Sequence, residues 1–93
     1  MMQQSTIIWY HIGVTQPIVP SQPLPCLPAI PHNALVVVEG RAPIWYYGRA
    51  FHALHGKAMA VAVYDPRLGV VIVASHTPLY AEGDVLELEQ QSL

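Results

Sequence analysis

The hydrophobic pattern divides the chain into short apolar runs separated by turn-forming residues. Thr6–Ile12 is rich in β-branched and aromatic residues and predicts a strand. Ala34–Val38 is a continuous apolar run, which is typical of a strand buried on both faces. Ala58–Tyr64 and Val70–Ser75 predict two further strands, and the turn sequence DPRLG between them joins them into a hairpin. A last short strand is predicted at Asp84–Glu89.

One segment has the periodicity of a helix. Its apolar residues recur at steps of three and four, at Ile44, Tyr47, Phe51 and Leu54. Residues 43–55 therefore predict an amphipathic helix with these four on its buried stripe. Pro43 suits the first helical position, where its missing N–H costs nothing, and Gly56 suits the C-terminal cap.

Six prolines lie between Gly13 and Asn33, a density that excludes an α-helix of any length. The apolar residues interleaved with them predict an ordered loop packed on the core. The order β–loop–β–α–β–β–β predicts an α/β (α+β) fold, with a mixed sheet of about five strands and one main helix on a face. All 93 residues are predicted to form a single small domain, with its core at 34–89 and the proline-rich loop at 13–33.

The composition is unusual for a monomer, being 53% hydrophobic and only 11% charged. It predicts a homo-oligomer, because large apolar patches usually mark interfaces. No apolar run approaches the ~20 residues that a membrane span needs, and the N-terminal sequence does not predict a signal peptide. The single cysteine, Cys26, cannot form an internal disulfide, which agrees with a cytoplasmic location.

The charges are unevenly distributed along the chain. All four basic residues lie between positions 41 and 67, and most carboxylates crowd the C-terminus, for a net charge of −2. The sequence therefore predicts a local phosphate site and no long nucleic-acid partner.

Two histidines stand on one face of the predicted helix. At about 100° per residue, His52 and His55 share a sector with Trp45 and with Gly48, whose missing side chain leaves space between them. The His-x-x-His spacing suits a pair of metal ligands or acid–base chemistry. The structural alternative is a polar shoulder near the helix end, where the helix dipole favours a protonated histidine.

A second group of candidate residues suits an anion. In the hairpin turn, Asp65 is an acceptor for a metal or a proton and Arg67 suits phosphate. The Gly40–Pro43 corner precedes the helix, where N–H groups and Arg41 suit an anion, although no dinucleotide or P-loop fingerprint is present. Each feature has a structural alternative: Asp65 opens a turn, Arg67 is solvated and His76 ends a strand. Together they predict a small anion-binding α/β domain.

Four segments, in this order and at these intervals, resemble one known family: GRAPIWYY, HALH, VAVYDPRLGVVIVASH and EGDVLEL. The chain resembles the small CRISPR-associated ring nucleases of the Csx-three (also Crn-three) family, strongly from Leu35 to Leu88 and weakly through the proline-rich loop. The resemblance implies a manganese-dependent phosphodiesterase that degrades cyclic tetra-adenylate, the second messenger of type III CRISPR defence. The family is also described as acting on the 3′ ends of short RNA.

The resemblance also implies roles for individual residues. His55 matches the catalytic histidine at the helix end, and His52 matches its companion one turn earlier. Asp65 and Arg67 match the turn pair of the DPR motif, and His76 matches the histidine of the SH motif. The implied catalytic residues are His55, Asp65 and Arg67, with Asp65, His55 and His52 as ligands of Mn²⁺. The candidate substrate-binding residues are Gly40, Arg41, Pro43, Trp45, His52, Ser75 and His76.

The sequence thus predicts a cytoplasmic homo-oligomer that cleaves cyclic tetra-adenylate with Mn²⁺ and touches no membrane. Three alternatives stand beside it: a sensor that binds the cyclic nucleotide without cutting it, a 3′-end RNA deadenylase, and an interaction protein built on the proline-rich loop. The complete set of His55, Asp65 and Arg67 favours cleavage, because binding alone does not need the carboxylate of Asp65.

Geometry adds one expectation that needs no family. His55 precedes the predicted strand Ala58–Tyr64, whereas Asp65 and Arg67 follow it, which separates them by roughly 20 Å. Acid–base contact needs ~2.6–3.2 Å, so one subunit cannot assemble this site. We therefore expect a composite site, in which the turn end (Asp65 and Arg67) of one subunit meets the histidine end (His55 and His76) of another.

Overall fold

Within the described residues, five strands and one helix follow the order that the hydrophobic pattern predicts. The computed structural model describes residues 6–88. Its elements are β1 (Thr6–His11), β2 (Ala34–Glu39), α1 (Ile44–Leu54), β3 (Ala60–Asp65), β4 (Gly69–Ser75) and β5 (Val85–Leu86). The predicted fold class is confirmed, since these elements form one five-stranded mixed sheet with a helix on one face.

The strands lie in the sheet in the order in which they occur along the chain. β1, β2 and β3 are parallel, whereas β4 and β5 are antiparallel to their neighbours. Because parallel strands need crossover connections, the proline-rich loop carries the first crossover and α1 carries the second. This topology brings the carboxyl ends of β1, β2 and β3 to the same edge of the sheet.

The core has two layers, one on each face of the sheet. On the helix side, α1 buries Tyr46, Ala50 and Leu54 against the sheet. Apolar residues of the proline-rich loop, among them Leu24 and Leu27, are partly buried against the same cluster. The opposite face of the sheet buries Leu35, Val37, Ala60, Ala62, Val70 and Ile72.

Hydrogen bonds to its carbonyl groups order the proline-rich loop. The Tyr10 hydroxyl donates to the Pro25 carbonyl, and the Tyr46 hydroxyl donates to the Pro23 carbonyl at 2.7 Å. Arg49 donates to the carbonyls of Pro20 and Gln22. A segment rich in proline lacks N–H donors, so its carbonyls need side-chain partners of this kind.

The predicted buried stripe of the helix is partly wrong. The fully buried row is Tyr46, Ala50 and Leu54, and Ile44 is 87% exposed. Tyr47 and Phe51 flank that row and are only partly buried. Apolar residues occupy a wide arc of this helix, and periodicity alone cannot tell which row of a wide arc faces the sheet.

The element boundaries differ from the predicted ones by a few residues. Pro43 is the N-cap, with extended backbone at φ −60° and ψ 153°, and the helix begins at Ile44. β3 spans Ala60–Asp65, whereas the predicted strand is Ala58–Tyr64, although the Met59 N–H already donates to the Ala34 carbonyl of β2. The last strand contains only two residues, and the predicted end at Glu89 lies outside the described residues.

Across residues 6–88, no helix combines the length and apolar character that crossing a membrane requires.

Candidate functional site

The end of α1 and the end of β4 bring two histidine rings together. α1 ends at Leu54, and Gly56 reverses the chain with a positive φ of 81°. His76 follows β4 and donates its backbone N–H to the Met59 carbonyl at 2.8 Å, which places it beside the start of β3. The ring centroids of His55 and His76 lie 5.8 Å apart, with the ring planes inclined at 62°.

A cavity of about 320 Å³ opens beside this pair. His52, His55 and His76 line it, so the structure brings three of the predicted site residues to one place. The rest of the lining is largely apolar and includes Phe51 and Val73. Its volume lies within the roughly 300–1,000 Å³ of ligand pockets.

A second cavity of about 410 Å³ lies against the same pair of rings. His55 and His76 line both cavities, and His32, Lys57 and Met59 line only the second. His32, which precedes β2 at the end of the proline-rich loop, is not among the predicted site residues. No local signal identifies it, because only the packing of that loop places it near residues more than twenty positions away.

Ser75 holds the turn that presents His76. Its hydroxyl donates to the Thr77 carbonyl at 2.9 Å and accepts the Thr77 N–H at 3.2 Å. Both bonds are local, which is a common arrangement for serine in turns. The contacts therefore assign Ser75 a positioning role, whereas its predicted contact with substrate stays a prediction.

Trp45, Gly48 and His52 lie along one groove on the outer side of α1, as the helical sector predicts. With Leu24 and Arg49 they line a space of about 460 Å³ between the helix and the proline-rich loop. A side chain at Gly48 would meet nothing within 4 Å, so this part of the groove is open.

Asp65 and Arg67 form a local turn at the other end of β3. The Arg67 backbone N–H donates to Asp65 Oδ1 at 2.7 Å, and Arg67 Nε lies 4.0 Å from the same oxygen. The Arg67 side chain is 91% exposed, against 30% for Asp65. The carboxylate thus shapes the turn, and the guanidinium extends into solvent with capacity for an anion.

The Gly40–Pro43 corner is a tightly packed junction between β1 and β2. Gly40 has φ 125°, and a Cβ there would lie 2.6 Å from the Gly13 Cα. The Tyr47 hydroxyl donates to the Gly40 carbonyl, and the Val14 N–H donates to the Arg41 carbonyl at 2.7 Å. Packing alone therefore explains why position 40 is a glycine. Anion binding by Gly40, Arg41 and Pro43 stays a prediction.

A buried carboxylate lies beside this corner. Glu39 ends β2, is only 7% exposed and pairs with Nδ1 of His11 at the end of β1. Burial raises the pKa of the Tyr47 phenol, and the nearby Glu39 carboxylate raises it further. His11 is thus a strand histidine whose ring is satisfied by a buried carboxylate. Glu39 itself was missed, although a carboxylate closing an all-apolar strand is a visible signal.

The predicted catalytic residues occupy two separate places in the chain. β3 contains six residues, so its ends are roughly 16 Å apart at about 3.3 Å per residue. His55 shares a cavity with Ala60 at the start of the strand, and Asp65 closes the other end by pairing with Gly69. One chain does not bring His55 together with Asp65 and Arg67.

The same separation applies to the predicted metal ligands. In the part of the chain that the structure describes, no three side chains of histidine, cysteine, aspartate or glutamate are placed to hold a metal ion. His52 and His55 line one cavity, whereas Asp65 is at the far end of β3. These residues of a single chain do not fit Mn²⁺; a site using all three needs two copies.

Comparison with known proteins identifies the family. The family described as CRISPR-associated protein (Cas_csx3) matches residues 11–87. This range includes both cavities, the corner and the DPR turn, and the chain belongs to this family. An uncharacterized protein of Aquifex aeolicus (strain VF5) is 45% identical over 58 residues, which cover 61% of this chain. The chain spans about half, 51%, of the length of that relative.

Proposed function

We propose that the protein is a ring nuclease, a phosphodiesterase that opens cyclic tetra-adenylate and so ends type III CRISPR signalling. One observation carries the proposal: the three residues that match the family's catalytic motif are exposed, or partly exposed, at two opposite ends of one small domain. Membership of a CRISPR-associated family supports the setting. The resemblance of the four sequence segments to the ring nucleases supports cyclic tetra-adenylate as the substrate.

The proposed roles follow from the surroundings of each group. The exposed Arg67 guanidinium would neutralise charge that develops on the scissile phosphate. His55 borders a cavity and would move a proton to or from the reacting oxygens. Asp65 would hold the turn that aims Arg67, through the bond from the Arg67 N–H.

The site that we propose is composite. The turn end of one subunit would face the histidine end of a second, because roughly 16 Å of β3 separates them within one chain. A homo-oligomer is then required for activity. It would also bury part of the exposed apolar surface, such as Leu68, which is 61% exposed beside Arg67.

Mn²⁺ is the proposed cofactor, with Asp65 from one subunit and His52 from another as its ligands. His55 either completes this ligand set or moves the proton, because a metal-bound imidazole nitrogen cannot also transfer a proton. Bound there, the ion would supply a Lewis acid at the phosphate. Carboxylate and imidazole ligands together suit a first-row transition ion better than Ca²⁺.

The test is incubation of the protein with cyclic tetra-adenylate in the presence of Mn²⁺, and with excess EDTA in its place. We expect linear adenylate products with Mn²⁺ and little cleavage after chelation. Full activity after rigorous chelation would remove the metal from the proposal. Binding of the ring without cleavage under every metal condition would instead favour the non-cleaving sensor, and release of adenosine monophosphate from the 3′ ends of linear RNA alone would favour the deadenylase.

A further inference from the structure

The two cavities at the histidine end are neighbours with different chemistry. Both are lined by His55, Gly56, Ala58 and His76, so the two cavities share the pair of imidazole rings, here named the His55–His76 wall. A ligand that lies across this wall would reach both spaces at once.

The first cavity suits a flat, largely apolar group. Phe51, Val61 and Val73 contribute apolar surface, and the imidazoles of His52, His55 and His76 supply polar atoms at its border. Aromatic side chains and histidines are common partners for nucleic-acid bases, whose faces stack and whose edges carry hydrogen-bonding groups.

The second cavity suits an anion. Lys57 adds a fixed positive charge, and His32 adds a second ring to the shared pair. Both are exposed, and no carboxylate of the described residues lines either cavity. A lysine ammonium beside several imidazoles, with no competing acid, is an arrangement that favours a phosphate group.

We infer that one nucleotide unit lies across the His55–His76 wall, with its purine in the first cavity and a phosphate in the second, held by Lys57 and His32. The inference rests on the proposed function for the adenine base. It adds two residues that no motif supplies, and it makes Phe51 and Val73 determinants of base binding.

The test is equilibrium binding of three probes, adenosine 5′-monophosphate, adenosine and inorganic phosphate, measured by calorimetry without metal. The wild-type protein should bind the monophosphate more tightly than either part. Lys57→Ala and His32→Ala should each weaken binding of the monophosphate about tenfold, because each removes one charge-assisted hydrogen bond. Binding of adenosine should not change. Arg49→Gln is the matched control, because Arg49 lines neither cavity and the glutamine amide removes the charge while keeping a donor for the loop carbonyls.

A complementary variant tests the other half. Ala74→Phe fills the first cavity, which Ala74 lines. It should weaken the binding of adenosine and of its monophosphate, and it should leave the binding of phosphate unchanged. Circular dichroism reports whether the Ala74→Phe protein folds. If this protein does not fold, Lys57→Ala still tests the inference, because Lys57 is exposed.

Two results would overturn the inference: a monophosphate that binds no better than adenosine, or a Lys57→Ala protein within twofold of wild type. These outcomes are independent of cleavage. Binding as described by a protein that never cuts the cyclic ring would preserve this site and remove the nuclease proposal. Cleavage of the cyclic ring by a protein whose monophosphate binding does not depend on Lys57 would preserve the nuclease proposal and remove this site.

Discussion

The two ends of β3 are built in opposite ways. Around the turn end, the neighbouring corner is packed tightly: Gly40 lies against Gly13, Glu39 pairs with His11, and the Tyr47 hydroxyl bonds to the Gly40 carbonyl. At the histidine end, cavities of about 320 and 410 Å³ open on exposed rings. The packed end supports the exposed guanidinium of Arg67, whereas the open end has room for a ligand. Neither end alone holds the complete proposed site.

The largest expected effect comes from splitting the two ends between different subunits. His55→Ala and Asp65→Ala should each lower the cleavage rate by about 10²-fold or more. An equimolar mixture of the two should regain part of the activity, because some interfaces then combine an intact His55 with an intact Asp65. The measurement is the initial rate of cyclic tetra-adenylate cleavage for each protein and for the mixture.

A non-complementing mixture provides the control for that experiment. His55→Ala mixed with a protein that carries both substitutions should stay inactive, since no interface contains both groups. A first mixture that is no more active than its components would argue against a composite site.

Arg67→Ala should reduce kcat/KM by about 10²-fold if the guanidinium stabilises charge in the transition state. Its unfolding midpoint should not change, because the side chain is 91% exposed. The bonds that hold the turn, from the Arg67 N–H to Asp65 Oδ1 and from the Leu68 N–H to the Asp65 carbonyl, do not use the Arg67 side chain. Arg49→Gln, the same loss of charge on the outer side of the helix with a donor kept for the loop carbonyls, should retain activity. Wild-type rates for Arg67→Ala would leave that residue as a solvated charge.

Substitutions at two glycines with positive φ allow the packing of the turn end and of the histidine end to be compared directly. Gly40→Ala should destabilise the protein by about 3 kcal/mol, because backbone strain adds to the collision with Gly13. Gly56→Ala should cost only about 1 kcal/mol, since φ 81° is strained but its Cβ would meet nothing within 4 Å. Urea unfolding of both variants measures the difference. Equal losses would mean that the two ends are packed alike.

The smallest effect concerns the partly buried phenol of Tyr47, which lies near Glu39. The pKa of Tyr47 is raised in the folded protein, by burial first and by the Glu39 carboxylate second. The unfolded chain therefore releases this proton first, so stability is complete below pH ~10 and falls as the pH rises above it. Tyr47→Phe should make that alkaline decline shallower, by at most about 1.4 kcal/mol per pH unit. Urea unfolding at several alkaline pH values would show it, and an unchanged slope would contradict it.

Local patterns predict most of the elements of this fold. The strand at Ala34–Glu39 and the helix at Ile44–Leu54 follow from runs and spacings of apolar residues, which act over a few positions. The distance between His55 and Asp65 also follows from the sequence, because strand length alone sets it. The order of the proline-rich loop also follows from the sequence, because the apolar residues between its prolines are buried only if the loop packs on the core.

Only the tertiary structure decides the contacts between distant segments. It selects Tyr46, Ala50 and Leu54 as the buried row of a helix that is apolar over a wide arc. It also pairs Glu39 with His11 across neighbouring strands, and it brings His32 from the end of the loop to the cavity of His55. The sequence by itself therefore determined the elements and the two separated groups of candidate residues, since both depend on local spacing. The shape of the cavities depends on long-range packing, and no local spacing encodes it.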